Sequence, residues 1–183
     1  LPFAPESAYG HPDDLKRLID RAHGLGLMVF LDVVYNHFGP SGNYLHSYAG
    51  SFFTERHQTP WGPAINCDGV HAATVRSFFI ENAVYWLNEF RFDGLRLDAV
   101  HAILDDSERH FLDELASRVR AEVQSREIHL ILENEANEAR WLERDDSCPR
   151  AYTAQWDDDI HNAWHALLTG ESYAASAEMA GEL

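Results

Sequence analysis

The chain alternates between two spacings of apolar residues. After Pro12, apolar side chains recur at helical intervals up to residue 24, which predicts a helix that begins at this proline. Residues 27–34 are then almost wholly apolar, as expected for a parallel strand that is covered on both faces. Residues 75–90 again carry a helical apolar stripe, and residues 92–98 predict a second strand.

The same order repeats in the second half of the chain. Ser107 is placed to cap a helix whose apolar face extends to residue 123, and residues 128–132 predict a third strand. Residues 152–156 predict a weaker fourth strand, and we expect a helix after Asp159. Since helices of about ten or more residues between strands require parallel crossovers, the pattern predicts an α/β fold.

One long segment breaks this pattern. Residues 36–70 are polar and aromatic, carry several glycine and proline pairs, and show no regular spacing. Loops of this length inside a compact domain are usually functional or disordered, and the aromatic content argues against disorder. We therefore expect a functional loop between the first predicted strand and the helix that follows it.

Three acidic residues each lie at the end of a predicted strand: Asp32, Asp98 and Glu133. A charge at a buried strand end costs free energy unless a group outside the strand interacts with it. In a parallel barrel the carboxyl ends of the strands meet at one rim. Side chains alternate along a strand, so Arg96 shares a face with Asp98 and should keep it ionised. For Glu133 we expect an apolar wall and the negative Asp98 to favour the neutral form. For one acid alone, a helix cap or an ion pair is an equally good interpretation.

The segments around these acids resemble a known family. Residues 31–37, 94–101 and 131–135 match, in order and in spelling, the first three signature regions of the α-amylase superfamily of glycoside hydrolases. The resemblance implies that Asp98 is the nucleophile and Glu133 the general acid/base of a retaining mechanism. It also implies a partial TIM (β/α)8 barrel, approximately strands three to six with their helices.

We interpret the chain as a fragment of a single catalytic barrel that is truncated at both ends. Residues 1–183 begin without methionine and are fewer than the roughly 250 residues of a complete barrel. The third carboxylate of the family follows in an Asn-His-Asp segment, and no such segment occurs in the sequence. The isolated chain is therefore expected to be inactive.

The same resemblance implies further site residues. By their matching positions, Asp32 supports the site through hydrogen bonds, His37 binds substrate hydroxyls at the cleavage point, and His101 lies near the leaving group. Arg96 joins the substrate-binding residues, and Trp61 is a candidate for stacking on a glucose ring. A histidine after a strand can equally be structural, and the indole can equally pack the long loop onto the barrel.

Longer segments point to one subfamily. Residues 52–62 and 152–171 resemble malto-oligosyltrehalose trehalohydrolases, which cleave the α-1,4 bond next to a terminal trehalose. The implied partner is therefore a malto-oligosaccharide substrate with a trehalose end. Five consecutive residues are implied to recognise that end: Gln155, Trp156, Asp157, Asp158 and Asp159. A solvated helix N-terminus is an equally good interpretation of these acids.

Composition narrows the classes of function. The net charge of -16, from 30 acidic and 14 basic residues, disfavours nucleic acid as a partner and leaves a neutral sugar unaffected. Neither cysteine has a metal-ligand spacing, so we predict no metal and no other cofactor. No apolar run approaches the length that spans a bilayer. We therefore predict no membrane partner and a soluble, cytoplasmic enzyme.

Two other functions stay open from the sequence. A 1,4-α-glucan branching enzyme shares much of the segment around Asp98, and it transfers the glycosyl unit to a sugar hydroxyl instead of water. A catalytically inactive relative could serve as a carbohydrate-binding module. The intact Asp98, Arg96 and Glu133 argue against that second alternative.

Overall fold

The computed structural model describes residues 2–39 and 42–171, and for residue 158 the backbone only. Within this part of the chain the helices are α1 (Pro12–Gly24), α2 (Leu45–Tyr48), α3 (Ala72–Glu89), α4 (Phe111–Glu122) and α5 (Asp158–Thr169). The strands are β1 (Phe30–Val33), β2 (Phe53–Thr59), β3 (Gly62–Ile65), β4 (Gly94–Leu97), β5 (His129–Glu133), β6 (Arg144–Asp145), β7 (Cys148–Pro149) and β8 (Ala154–Trp156). Short 3-10 turns lie at Ser7–Tyr9, Gly50–Phe52, Val100–Ala102 and Ala139–Leu142. None of the helices in the described residues combines the length and the apolar character that crossing a membrane requires.

Four strands form one parallel sheet in the order β1–β4–β5–β8. The order in the sheet follows the order along the chain, and helix α4 lies between β4 and β5 as a crossover. In the register, Asp32 is opposite Arg96 and Glu133 is opposite Trp156. The predicted α/β fold is confirmed.

The core lies between this sheet and helices α3 and α4. Leu95 and Leu97 of β4 and Leu130 and Leu132 of β5 are fully buried. The helical side of the core is formed by Val75, Phe79, Ile80, Leu87, Phe111, Leu115 and Val119. Since side chains alternate along a strand, the residues between these leucines face the other side of the sheet. Burial of the apolar face is the main term that stabilises such a layer.

A glycine at the start of β4 lets the central strands come close together. A Cβ atom on Gly94 would lie 2.2 Å from the carbonyl oxygen of His129 and 2.5 Å from the ring of Phe30. Any side chain at this position would therefore push β5 or β1 away.

Helix α1 begins where the sequence predicts. Pro12 is its first residue, and the ring Nδ1 of His11 accepts the backbone N–H of Asp13 at 3.4 Å. The carboxylate of Asp14 accepts the backbone N–H of His11 at 2.7 Å, which completes a reciprocal cap. The helix ends at Gly24, as predicted.

The first strand is shorter and more exposed than predicted. Strand β1 covers Phe30–Val33, whereas Leu27 and Met28 are exposed and lie outside it. Of the four residues of β1 only Val33 is buried, while Phe30 and Asp32 are exposed. The expectation that residues 27–34 form a strand covered on both faces is therefore wrong for the described part of the chain.

The start of helix α4 also differs from the prediction. The helix begins at Phe111, and its N-cap is His110, whose Nδ1 accepts the backbone N–H of Leu112 at 3.2 Å. Ser107 lies in the preceding loop, where its backbone N–H donates to Asp105 at 2.9 Å. The predicted cap at Ser107 is wrong because the loop folds around this aspartate, which also accepts the N–H of Phe111 at 2.6 Å.

The long segment contains an antiparallel hairpin that the sequence did not predict. Strands β2 and β3 pair Phe53 with Ile65 and Thr59 with Gly62. The hydroxyl of Thr59 donates to the carbonyl of Gly62 at 2.9 Å across the turn that carries Trp61. Strand β2 is mostly polar and partly exposed, so it lacks the apolar alternation by which strands are recognised.

Candidate active site

The ends of the parallel strands bring the predicted acids to one edge of the sheet. Asp32 lies in β1, Arg96 lies in β4, and Asp98 follows β4 directly. Glu133 is the last residue of β5, next to Trp156 at the end of β8. Because parallel strands in register place their carboxyl ends side by side, these side chains can act on one ligand.

Arg96 joins three carboxylates from three strands. Its Nη1 atom donates to Asp98 Oδ1 at 2.7 Å and to Asp32 Oδ1 at 2.9 Å. Its Nη2 atom lies 2.9 Å from Glu133 Oε2. A planar guanidinium suits such multiple pairing because its N–H groups point in fixed directions. We call Arg96, Asp32, Asp98 and Glu133 the Arg96 cluster.

The surroundings of Asp98 keep it ionised. Burial by itself raises the pKa of this carboxyl, but hydrogen bonds from Arg96, from Asn36 and from the Glu133 carboxyl outweigh it. The pKa of Asp98 is therefore held below its ordinary value. A charged carboxylate at neutral pH is what a nucleophile requires.

Glu133 has different surroundings from those expected. Its Oε2 atom accepts the backbone N–H of Ala99 at 2.8 Å and pairs with Arg96. The expectation of an apolar wall is wrong, because charged and amide groups meet this carboxyl. The backbone of Ala99 has a φ of 41°, which is uncommon for a residue with a side chain. This bend directs its N–H toward Glu133.

Asn36 was not among the predicted site residues, and the structure places it beside Asp98. The side chain is buried, and its Nδ2 donates to the backbone oxygen of Asp98 at 2.6 Å and to that of Ala99 at 3.3 Å. It also reaches the Asp98 carboxylate at 3.5 Å. A polar amide directly after an apolar strand was the available signal, since a buried amide needs partners.

Trp156 covers one side of the Arg96 cluster. Its ring lies over the guanidinium carbon of Arg96 at 4.3 Å from the ring centre. The same indole lines a hollow of about 390 Å³ together with Glu133, Asp157 and His161. His161 was not predicted as a site residue. The hollow gives a ligand access to Glu133 from the β8 side.

The hairpin reaches the end of β1 through an aromatic contact. The rings of His37 and Trp61 are stacked, with centres 4.6 Å apart and planes 14° apart. His37 also hydrogen-bonds through Nδ1 to the side-chain oxygen of Asn36. Asn36 therefore links His37 to Asp98. One face of the Trp61 indole is covered by the imidazole, and only the other face can meet a sugar.

His101 lies beyond the cluster on the loop after β4. Its Nε2 is 3.3 Å from a carboxylate oxygen of Glu135, and its Nδ1 lies 3.4 Å from the backbone N–H of the same residue. These contacts connect the loops that follow β4 and β5. They give His101 a structural task, and a role near the leaving group stays a prediction.

The five residues predicted to recognise a trehalose end lie at the end of β8 and the start of α5. Gln155 accepts a hydrogen bond from Asn134 at 3.0 Å, and Asp157 caps α5 by accepting from Ile160. The Asp159 carboxylate accepts from the side chain of Asn137 at 2.7 Å, and the side chain of Asp158 lies outside the described residues. Trp156 is the member that contacts the Arg96 cluster.

A second charged group lies between the hairpin and the loop after β4. Among the described residues, His57, Asp68 and Asp106 have ligand atoms close enough to share a metal ion. Arg56 already lies 3.4 Å from both carboxylates, and His57 is 2.7 Å from Asp68. The guanidinium supplies the positive charge there. We call these four residues the Arg56 cluster.

The chain is similar in sequence to glycan-processing enzymes. The family model "Alpha amylase, catalytic domain" matches residues 5–61. A malto-oligosyltrehalose trehalohydrolase from Saccharolobus solfataricus is 45% identical over 169 residues, which cover 92% of this chain and 29% of that protein. The 1,4-alpha-glucan branching enzyme of Leifsonia xyli is 43% identical over 109 residues, which cover 56% of this chain and 14% of that protein.

The fold is similar to that of a solved structure from Salmonella typhimurium that is described as an alpha amylase. The two share a TM-score of 0.89 and 47% identity, over 96% of this chain and 30% of that one. The chain thus spans less than a third of the length of these two relatives. The predicted partial TIM (β/α)8 barrel is confirmed.

Proposed function

This chain belongs to the α-amylase superfamily of glycoside hydrolases, as a segment of its catalytic barrel, and we propose that the polypeptide carrying it hydrolyses malto-oligosyltrehalose. The bond cleaved is the α-1,4 bond next to the terminal trehalose. The observation that carries the proposal is that one guanidinium, Arg96, contacts both Asp98 and Glu133 at adjoining strand ends. The preference for a trehalose end is proposed from the similarity to a malto-oligosyltrehalose trehalohydrolase.

In the proposed reaction the two acids have separate tasks. The Asp98 carboxylate attacks the anomeric carbon while Glu133 donates a proton to the glycosidic oxygen, so that trehalose leaves and a glycosyl ester forms. Glu133 then takes a proton from water, whose oxygen displaces Asp98 from the anomeric carbon. Two displacements at one carbon retain its configuration.

The contacts of both acids with one arginine support the retaining pathway. Asp98 lies 2.7 Å from Nη1 of Arg96 and Glu133 lies 2.9 Å from Nη2 of the same guanidinium, so the two carboxyl groups are held on neighbouring nitrogen atoms. An inverting enzyme keeps its acids about 6.5–9.5 Å apart to admit a water molecule. The geometry therefore favours a nucleophile and an acid over an acid and a water-activating base.

The remaining site residues are proposed to bind substrate. His37 and Trp61 lie on the β1 side of the cluster, and residues 155–159 lie on the β8 side. Asp32 is proposed to support Arg96 from β1 through their ion pair. We propose His101 as the residue near the leaving group. These sides give a linear substrate two directions in which to extend from the reacting bond.

A cytoplasmic location belongs to the same proposal. Cys67 is buried and Cys148 is exposed, and both are free thiols. Free cysteines persist where the surroundings are reducing, as in the cytoplasm.

The proposed function is tested with the full-length polypeptide that carries this chain. It is given maltotriosyl trehalose and, separately, amylose, and the products are analysed by chromatography. We expect free trehalose from the first substrate, and none from an Asp98→Asn variant purified in the same way. New α-1,6 branches from amylose would indicate a branching enzyme instead. No product from either substrate would favour a carbohydrate-binding module.

A further inference from the structure

Trp156 is the aromatic residue stacked on the central cation of the site. Its ring centre lies 4.3 Å from the guanidinium carbon of Arg96, within the range of an attractive cation–π contact. The contact joins β8 to β4, with β5 between them in the sheet. An indole at the end of one strand therefore covers a charged group two strands away.

Arg96 needs such a contact because it serves several partners. It pairs with Asp98, with Glu133 and with Asp32, and the side chain is largely buried. A small rotation of the guanidinium would strengthen one pairing at the cost of another. The face of the guanidinium carries no N–H donor, so a stacked ring can restrict its tilt without competing for the carboxylates.

We propose that Trp156 is a positioning residue, which holds the guanidinium of Arg96 so that it contacts Asp98 and Glu133 together. The proposal rests on the proposed function, since it assigns Trp156 a task in that reaction. It differs from the sugar-recognition role predicted from the sequence, in which the indole acts on the substrate directly. In this role Trp156 acts on the reacting groups through Arg96.

The surroundings of Asp98 determine how the effect can be measured. Arg96 contacts it from β4, Glu133 contacts it from β5, and Asn36 contacts it from the loop after β1. Asp32 reaches the same guanidinium from β1. On the β8 side, Asp157 and His161 line the hollow that also exposes Glu133 and Trp156.

Loss of the indole should weaken the hydrogen bond from Arg96 to Asp98. The pKa of Asp98 would then rise toward its ordinary value, because less positive charge would be held beside the carboxylate. A nucleophile works only when ionised, so the acidic limb of kcat/KM should move to higher pH. The other charged groups stay in place, which makes Arg96 the cause of such a change.

The experiment compares Trp156→Leu, Trp156→Phe and Trp61→Leu in the full-length polypeptide. For Trp156→Leu we expect kcat to fall about tenfold with KM changed less than about threefold, and the acidic limb to move upward. Trp156→Phe keeps an aromatic ring and should restore most of both. Trp61→Leu removes an aromatic ring that stacks on His37, and it should raise KM while leaving the acidic limb in place.

A second measurement works without a substrate. The titration of Asp98, followed by NMR of its carboxyl carbon, should show a higher midpoint in Trp156→Leu than in the wild type. A raised KM with unchanged kcat, acidic limb and titration would overturn the positioning role and leave sugar binding. Unchanged values throughout would overturn it as well. If Trp156→Leu fails to fold, judged by circular dichroism, Trp156→Phe must still show a smaller upward shift. If wild-type protein releases no trehalose, the proposed function fails, and the NMR titration still tests the positioning.

Discussion

Two charged clusters of this chain each place an arginine among carboxylates, and they differ in which of these groups is buried. In the Arg96 cluster the arginine side chain is 12% exposed, while Asp98 is 29% and Glu133 is 38% exposed. In the Arg56 cluster the arginine is 54% exposed and Asp68 is 1% exposed. One cluster buries its cation and leaves its acids reachable, and the other buries an acid and leaves its cation in solvent.

The difference follows from the elements that carry the two clusters. Arg96 lies in a central parallel strand, whose neighbours deliver carboxylates to the same edge. Asp68 follows an antiparallel hairpin, and its Oδ2 accepts from the backbone N–H of Asp106 at 3.0 Å. It thereby fastens the hairpin to the loop after β4. Reachable acids can meet a substrate, whereas a buried, hydrogen-bonded acid holds segments of the chain together.

The largest expected effect comes from replacing one aspartate in each cluster, Asp98 in the Arg96 cluster and Asp68 in the Arg56 cluster. Asp98→Asn should lower kcat for release of trehalose about a thousandfold or more, because the amide is not a nucleophile. Its thermal unfolding midpoint should change little, since the amide oxygen can still accept from Arg96, and the contact with Asn36 that is lost is long, at 3.5 Å. Asp68→Asn should show the reverse: kcat within about twofold and a lower midpoint.

The two variants control each other, because both replace a carboxylate by an amide of the same shape. Product release is measured under single-turnover conditions, and unfolding is measured by circular dichroism. Substantial activity in Asp98→Asn would remove Asp98 as the nucleophile. A large loss of activity in folded Asp68→Asn would give the Arg56 cluster a catalytic task and end the contrast.

The next largest effect on kcat is expected when the arginine of each cluster is replaced. Arg96→Lys should lower kcat about 10- to 100-fold, because one ammonium cannot contact Asp98, Glu133 and Asp32 in the planar arrangement of a guanidinium. Arg56→Lys is the matched control on the hairpin, and its kcat should stay within about twofold. Steady-state kinetics on maltotriosyl trehalose measure both. Equal losses in the two variants would contradict the distinction between the clusters.

Much of the fold could be predicted from the sequence because its signals are local. Helix α1 has its proline, its cap and its spacing within residues 11–24, and β4 and β5 are short apolar runs. The grouping of Asp32, Asp98 and Glu133 could be predicted as well, since parallel strand ends converge. Their contacts with one arginine follow from that geometry.

The features that were missed depend on partners far away in the chain. The hydrogen bond from Asn36 to Asp98 joins residues 62 positions apart in the sequence. The contact of Trp156 with Arg96 joins β8 to β4, which are two strands apart in the sheet. The polar strand β2 is stabilised by pairing with β3 and by the Arg56 cluster. The spacing of apolar residues along the sequence does not indicate such contacts. Residues 36–70 were therefore predicted as a loop.

A smaller effect concerns the pH dependence of stability. Burial raises the pKa of Asp68, but hydrogen bonds from His57 and from the backbone of Asp106 outweigh it, so the pKa is lowered in the folded state. A lowered pKa stabilises the fold above the unfolded-state pKa, about 3.9 for Asp, and this contribution is lost as pH falls through the folded-state value. Asp68→Asn should lower the free energy of unfolding at pH 7 by about 1–3 kcal/mol. It should also remove the part of the pH dependence of stability that comes from Asp68.

Urea unfolding at a series of pH values between neutral and acid measures this contribution. The wild type should lose stability more steeply than Asp68→Asn as the pH falls toward the folded-state pKa. Parallel curves for the two proteins would contradict the assignment, because they would show that Asp68 binds protons equally well in both states.

The smallest effects are expected at the exposed acids of the two clusters. Asp32 is 61% and Asp106 is 68% exposed, and exposed ion pairs contribute at most about 1 kcal/mol. Asp32→Asn and Asp106→Asn should therefore both unfold within about 1 kcal/mol of the wild type. Asp32→Asn should still lower kcat up to about fivefold, because it loosens Arg96 beside the reacting acids, and Asp106→Asn should not change kcat. An equal effect of the two variants on kcat would mean that Arg96 keeps its position without Asp32. Its contacts with Asp98 and Glu133 would then be enough to hold the guanidinium in place.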